Sequence, residues 1–165
     1  MATDVEVQIN YSEKEVKKAI SFWLLKIYKV KIMFFIVYPI IIIGIILSLI
    51  FSQYAILSIA FIFFGLLFHY FYYIGPLESY KAFYRKRKGG TYIFNNAHIL
   101  IIGDEIQSTI LWSVFKKSYE IPFAFLLTDA NKFIYIFPKN CFNDNDEIDK
   151  LRKLLIDNTA YSKYK

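Results

Sequence analysis

IMFFIVYPIIIIGIILSLIF at 32–51 and YAILSIAFIFFGLLFHYFYYI at 54–74 stand almost back to back. Neither stretch contains Lys, Arg, Asp or Glu, and fifteen positions of the first are Ile, Leu, Val or Phe. A hydrocarbon core about 30 Å thick is crossed by about 20 helical residues, which each stretch supplies. Each such side chain near the centre of a span favours insertion by roughly 0.3 to 0.6 kcal/mol, so fifteen contribute about 4 to 9 kcal/mol. The expectation is a transmembrane hairpin that turns at Ser52 and Gln53, with everything before and after it on one side. A signal peptide has an apolar core of about 7–15 residues and a small-residue cleavage site, and 32–51 has neither.

Charge sets the orientation. The net +6 lies wholly in residues 1–90, which hold 11 Lys and Arg against 5 Asp and Glu, while 91–165 hold 9 against 9. Lys26, Lys29 and Lys31 precede the first stretch, and Lys81, Arg85, Lys86, Arg87 and Lys88 follow the second. The turn between them has no cation, so the positive-inside rule puts both termini in the cytoplasm. These eight cations are the candidate contacts to anionic headgroups, at roughly 1 kcal/mol each near the leaflet. The balanced charge of the C-terminal half offers no basic face for nucleic acid. A single cysteine, Cys141, excludes an internal disulfide and agrees with a reducing compartment.

Outward from the hairpin, the N-terminal side begins with a strand. Val5, Val7 and Ile9 alternate with polar neighbours, and Ser12 with Glu15 then predicts a capping box. Val16, Ile20, Trp23, Leu24 and Ile27 follow at helical spacing, a basic amphipathic helix running into the membrane with Trp23 and Tyr28 at headgroup level. Pro39 can kink the first span, and the small residues Gly44, Ser48 and Ser52 on one span and Ser58 and Gly65 on the other predict close packing of the two. His69 fits an interfacial aromatic belt with Tyr70, Tyr72 and Tyr73, because no acidic residue lies in either span to partner it. Gly75 and Pro76 punctuate the exit, and a short helix then ends at the breaker pair Gly89 and Gly90.

From Thr91 the pattern turns to short β-type runs at 91–94, 98–102, 106–112, 115–121, 123–128 and 132–137, separated by Asn, Gly, Asp and Pro. So many close-spaced strands predict a curled antiparallel sheet or small barrel. Asp144 and Glu147 cap a last helix whose Ile148, Leu151, Leu154 and Leu155 can plug its open end. With the first strand this makes seven strands and one closing helix. The fold class is thus a membrane protein of α+β type: a two-helix transmembrane hairpin plus a small antiparallel β-barrel closed by a C-terminal helix. Its parts are a cytoplasmic strand and basic helix at 1–31, the hairpin at 32–74, a basic juxtamembrane segment at 75–90 and a cytoplasmic domain at 91–165.

Catalytic signatures are lacking. His69 and His98 have no ligand or triad spacing, Cys141 fits a small apolar position, and 143–147 lacks the glycine and terminal glutamate of a calcium loop. No phosphate loop, CxxC pair or HExxH helix is present. A non-enzymatic protein without metal or cofactor is expected. Trp112 suits an inward-facing core position or a ligand-stacking one. Lys139, after Pro138, suits a turn or a headgroup contact. With Lys116 they form the candidate set for contact with a partner or headgroup.

Tyr92-Ile93-Phe94, Leu111-Trp112-Ser113 with Phe115 and Lys116, and Phe137-Pro138-Lys139 with Phe142 and the acidic-capped helix resemble the YcxB-like family of small bacterial membrane proteins. Val114 stands where that family usually has an acidic residue and Asn140 where a basic one is expected. The resemblance implies a pleckstrin-homology-like domain beside two spans in a bacterial inner or plasma membrane, and little about biochemical role. The functional expectation is a membrane-anchored interaction or regulatory module that binds a protein or a lipid headgroup, with an immunity-like role among the forms this could take. The alternative is an oligomeric transport or membrane-remodelling component in which the spans do the work.

Overall fold

The computed structural model describes residues 4–51, 55–86, 89–103 and 107–164. The expected turn at Ser52 and Gln53 lies outside the described residues. The chain divides into two compact units, one of Met1–Glu15 with Arg87–Lys165 and the other of Val16–Lys86.

The first unit is built on β1 (Val5–Ile9), β2 (Gly90–Phe94), β3 (His98–Ile102), β4 (Gln107–Leu111), β5 (Phe115–Ile121), β6 (Ala124–Asp129), β7 (Ile134–Pro138) and β8 (Ala160–Lys163), with α5 (Asn145–Asn158) between the last two. β1 pairs antiparallel with β2, Val5 opposite Phe94 and Ile9 opposite Gly90, so strands some 80 residues apart in sequence are neighbours. Gly89 and Gly90 make this junction possible. Gly89 has a φ of 112°, and a Cβ there would sit 2.2 Å from the Ile9 carbonyl oxygen. Only glycine accepts that conformation and approach.

The expected closed barrel and its seven strands are corrected. Among the described residues there are two four-stranded sheets, ordered β1-β2-β3-β4 and β7-β6-β5-β8. The physical reason is β8, which sequence reading missed. It pairs parallel with β5, Lys117 opposite Ala160 through Glu120 opposite Lys163, and occupies the edge that barrel closure through β4 would have needed. Between β4 and β5 the chain makes a 3-10 turn at Trp112–Val114, so Trp112 leaves the strand expected for it.

The core between the sheets and α5 is aromatic: Tyr92, Phe94, Trp112, Phe115, Phe125, Phe137 and Phe142 pack with Val5, Val7, Ile9 and the α5 residues Leu151, Leu154 and Leu155. Phe137 meets Tyr92 and Phe94 edge to face at 5.3 and 5.1 Å, the arrangement that ring quadrupoles favour. α5 begins as expected: the Glu147 amide donates to Asp144 Oδ1 at 2.8 Å, and the Glu147 carboxylate accepts from the Asn143 amide at 2.9 Å. At the other predicted cap only half the box forms. The Glu15 amide donates to Ser12 Oγ at 3.2 Å, but the Glu15 carboxylate accepts from Asn140 Nδ2 at 2.7 Å.

The second unit is helical. α1 (Glu13–Phe22) runs into a π-helical turn (Trp23–Ile27), and Lys29 then adopts the left-handed conformation and ends it before α2 (Val30–Ile50). The amphipathic helix is therefore separate from the first apolar helix. Trp23 is buried and stacks on Tyr28 at 5.0 Å. α2 continues through Pro39. α3 (Ala55–His69), a π-helical turn (Tyr70–Ile74) and α4 (Gly75–Lys86) follow without a break, so Gly75 and Pro76 do not end the second helix. Proline lacks the amide that an α-helix uses to reach back four residues. Widening the turn absorbs that loss, with the Gly75 amide donating to the Tyr70 carbonyl. Val30–Ile50, 21 residues, and Ile56–Lys86, 31 residues, are both long enough to cross a membrane, and each contains an 18-residue stretch apolar enough to do so, of mean hydropathy 2.8 and 1.8 respectively.

α2 and α3 pack through their small residues. A Cβ on Gly44 would lie 2.7 Å from the Phe61 ring, and one on Gly65 would lie 3.4 Å from Ile41. Ser48 and Ser58 share a hydrogen bond. Tyr38 Oη and His69 Nδ1 are 2.7 Å apart, with the Phe34 ring stacked on His69 at 5.4 Å. His69 therefore has a partner after all, a phenol rather than the acid that sequence reading looked for.

Candidate functional site

β5 carries one carboxylate on its core-facing side. Glu120 stands directly opposite Phe125 and only 1% of it is exposed, so it must find compensation within the protein. Three elements converge on it. α5 brings Arg152, whose Nε donates to Oε2 at 2.7 Å and Nη2 to Oε1 at 2.9 Å, a bidentate fork. Lys139, in the 3-10 turn after β7, donates to Oε1 at 2.8 Å while lying 5.2 Å over the Phe125 ring. β8 supplies the Tyr161 hydroxyl, which donates to Oε2, and the Lys163 ammonium at 3.6 Å. The other side of Arg152 is held by Asp149.

Burial alone would raise the Glu120 pKa, but the hydrogen bonds from Arg152, Lys139 and Tyr161 and the Lys139 charge outweigh it and hold the carboxyl well below its ordinary range. Burial, with the same carboxylate, pushes the Tyr161 hydroxyl up to about 12. The hydrogen bond to Glu120 does most to raise the Arg152 pKa. Chemically this is a closed cluster. Its carboxylate is ionised, its acceptor sites are taken by donors within the protein, and it is poorly disposed to take a proton or bind a metal. Among the described residues no three His, Cys, Asp or Glu side chains are placed to hold a metal ion.

The cluster claims one predicted contact residue, since the Lys139 amine is directed at Glu120. Trp112 is buried in the core, 5% exposed, and its indole Nε1 donates to the Asn95 carbonyl at 2.8 Å. Lys116 is exposed, as is its neighbour Lys117. Of the predicted headgroup cations, Lys26, Lys29, Lys31, Arg85 and Lys86 are exposed, whereas Lys81 is largely covered and bonds Glu78 at 2.9 Å. Arg87 and Lys88 lie outside the described residues. Sequence reading passed over Glu120 and Arg152. Their signal is an acid within the apolar end of β5 and a base beside Leu151 on the inward edge of the last helix.

β4 is the last strand of its sheet, and among the described residues it pairs only with β3. Its side chains alternate between exposed and half-buried along Gln107–Leu111, so one backbone edge and one face meet solvent.

No curated protein matches the chain. Residues 94–155, from the end of β2 into the last turns of α5, match the family model described as YcxB-like protein. They include β3 to β7, Trp112, Glu120, Lys139 and Arg152, and over these residues the chain carries a YcxB-like domain.

Proposed function

We propose that this protein is a membrane-anchored, non-enzymatic interaction module: a pleckstrin-homology-like β domain tethered to the cytoplasmic face of a bacterial inner or plasma membrane by the α2–α3 hairpin, both termini inside. The observation that carries this reading is the contrast between its two units. α2 and α3 expose apolar side chains along nearly their whole length, while the β domain closes the buried carboxylate of Glu120 within its own side chains. The polar side chains of the hairpin, Tyr38 with His69 and Ser48 with Ser58, are directed at each other, which favours an anchor over a pore.

The open edge of β4 suits an extended segment of a partner protein. Added strands gain affinity from main-chain hydrogen bonds and specificity from alternate side chains, and tethering at the membrane raises the effective concentration. A regulatory partner and an immunity-type partner both fit this mode. The test is a photo-crosslinking residue in place of Thr109 in the full-length protein in its native membrane. A single recurrent protein adduct, lost when lysines replace Gln107 and Ser108, supports the module; lysine is a residue type that protects natural sheet edges. An absence of adducts, together with ion conduction by the protein in liposomes, would favour the transport alternative.

A further inference from the structure

The corner between β4 and β5 is built in an unusual sense. In Leu111-Trp112-Ser113-Val114-Phe115, Trp112 and Phe115 are buried, while Leu111 is 57% and Val114 42% exposed. The exposure is fixed by the fold and does not come from a loose loop. Trp112 is pinned by its bond to the Asn95 carbonyl and packs against Phe94 and Phe115, and the 3-10 turn closes on the Phe115 amide. Immediately after, the pairing of β5 with β6 shifts register between Phe115 and Lys117. A bulge of this kind breaks the in-out alternation, and here it leaves Lys116 and Lys117 both facing solvent. Among the described residues neither ammonium forms an ion pair. The acid paired across the sheet from Phe115, Asp129, has its carboxylate engaged by the Phe133 amide at 2.8 Å.

Two aliphatic tips beside two adjacent cations match the layering of an anionic bilayer surface. Leu and Val gain by reaching the acyl boundary, and lysines can hold their ammonium groups among the phosphates while their stems cover apolar surface. The same chain carries two helices of membrane length, so such a surface is within reach along the chain. We propose that the Leu111, Val114, Lys116 and Lys117 corner is a second membrane contact, which docks the β domain on anionic lipid. It rests on the membrane-anchored reading and specifies which face of the domain meets the bilayer.

The experiment uses the full-length protein with Cys141→Ser and a polarity-sensitive dye on Val114→Cys. It is reconstituted in nanodiscs of phosphatidylcholine alone or of phosphatidylcholine with phosphatidylglycerol. Docking predicts a blue shift and protection from an aqueous quencher only in the anionic discs, reversed in about 1 M salt, where the Debye length is about 3 Å. Lys116→Gln with Lys117→Gln should lower the docked-to-undocked ratio about 30-fold, the equivalent of roughly 1 kcal/mol per cation, with an unchanged thermal melt. Equal quenching in both lipids overturns the proposal. So does dye protection that appears in detergent and grows with protein concentration, which would mean a second copy covers the corner. Neither outcome touches the Thr109 crosslink, so the module reading stands or falls separately.

Discussion

Glu120 shows how one side chain can hold three elements together. Its carboxylate is shared by Arg152 of α5, Lys139 after β7 and Tyr161 of β8, and its own strand lies against β6. Removing one partner from a buried charge cluster costs roughly 3–5 kcal/mol. Glu120→Ala should fall near the lower end, about 3 kcal/mol, because Arg152 and Lys139 are each partly exposed and can turn toward water. The pH dependence has a definite sign. Because the folded pKa lies below the unfolded value of about 4.3, the stabilisation is complete above that value and is lost as the pH falls below about 4. Thermal melts of wild type should therefore drop steeply on acidification. Those of Glu120→Ala should drop less, and parallel curves would remove Glu120 from this role. The sequence concealed the residue because the alternating pattern of a strand reads a lone glutamate as outward-facing. The register shift after Phe115 reverses that parity, and nothing in the order of residues announces it.

At the scale of elements, the hairpin was the most legible part, since continuous apolar runs need no tertiary information. Its ends were less so. Gly75 and Pro76 carry the sequence signature of a stop, yet a widened turn at Tyr70–Ile74 keeps the helix going to Lys86. β8 was illegible for a different reason: Ala160–Lys163 is short and mostly exposed, and its strand character comes from β5 beside it. Within the hairpin, Tyr38 lies about 12 Å along α2 from Val30, well inside the span if Val30 marks the interface. An apolar setting leaves few substitutes for the Tyr38–His69 hydrogen bond. Tyr38→Phe and His69→Phe should each weaken helix association by about 1 kcal/mol. The double variant should cost little more than either single, because both remove the same bond. Unfolding titrations in mixed micelles measure this, and strictly additive losses would show that the pair is not coupled.

At the scale of the whole molecule, the pairing of β1 with β2 governs everything else. One folded unit contains both Met1–Glu15 and Arg87–Lys165, and the helical unit Val16–Lys86 is inserted between them. If the helical unit crosses a bilayer as proposed, its two ends must return to the same side, which requires an even number of crossings and agrees with two helices long and apolar enough to cross. In the proposed membrane-anchored arrangement, the positive-inside rule predicts that this side is the cytoplasm, because the cations lie before α2 and after α3. The most direct measurement is a set of topology reporters in the full-length chain: a phosphatase that is active only outside the cytoplasm, fused after Lys165, before Met1, or between Ser52 and Gln53. Activity is expected only for the Ser52–Gln53 insertion. An active phosphatase after Lys165 would contradict it, because β1 and β2 could not then pair on the cytoplasmic side.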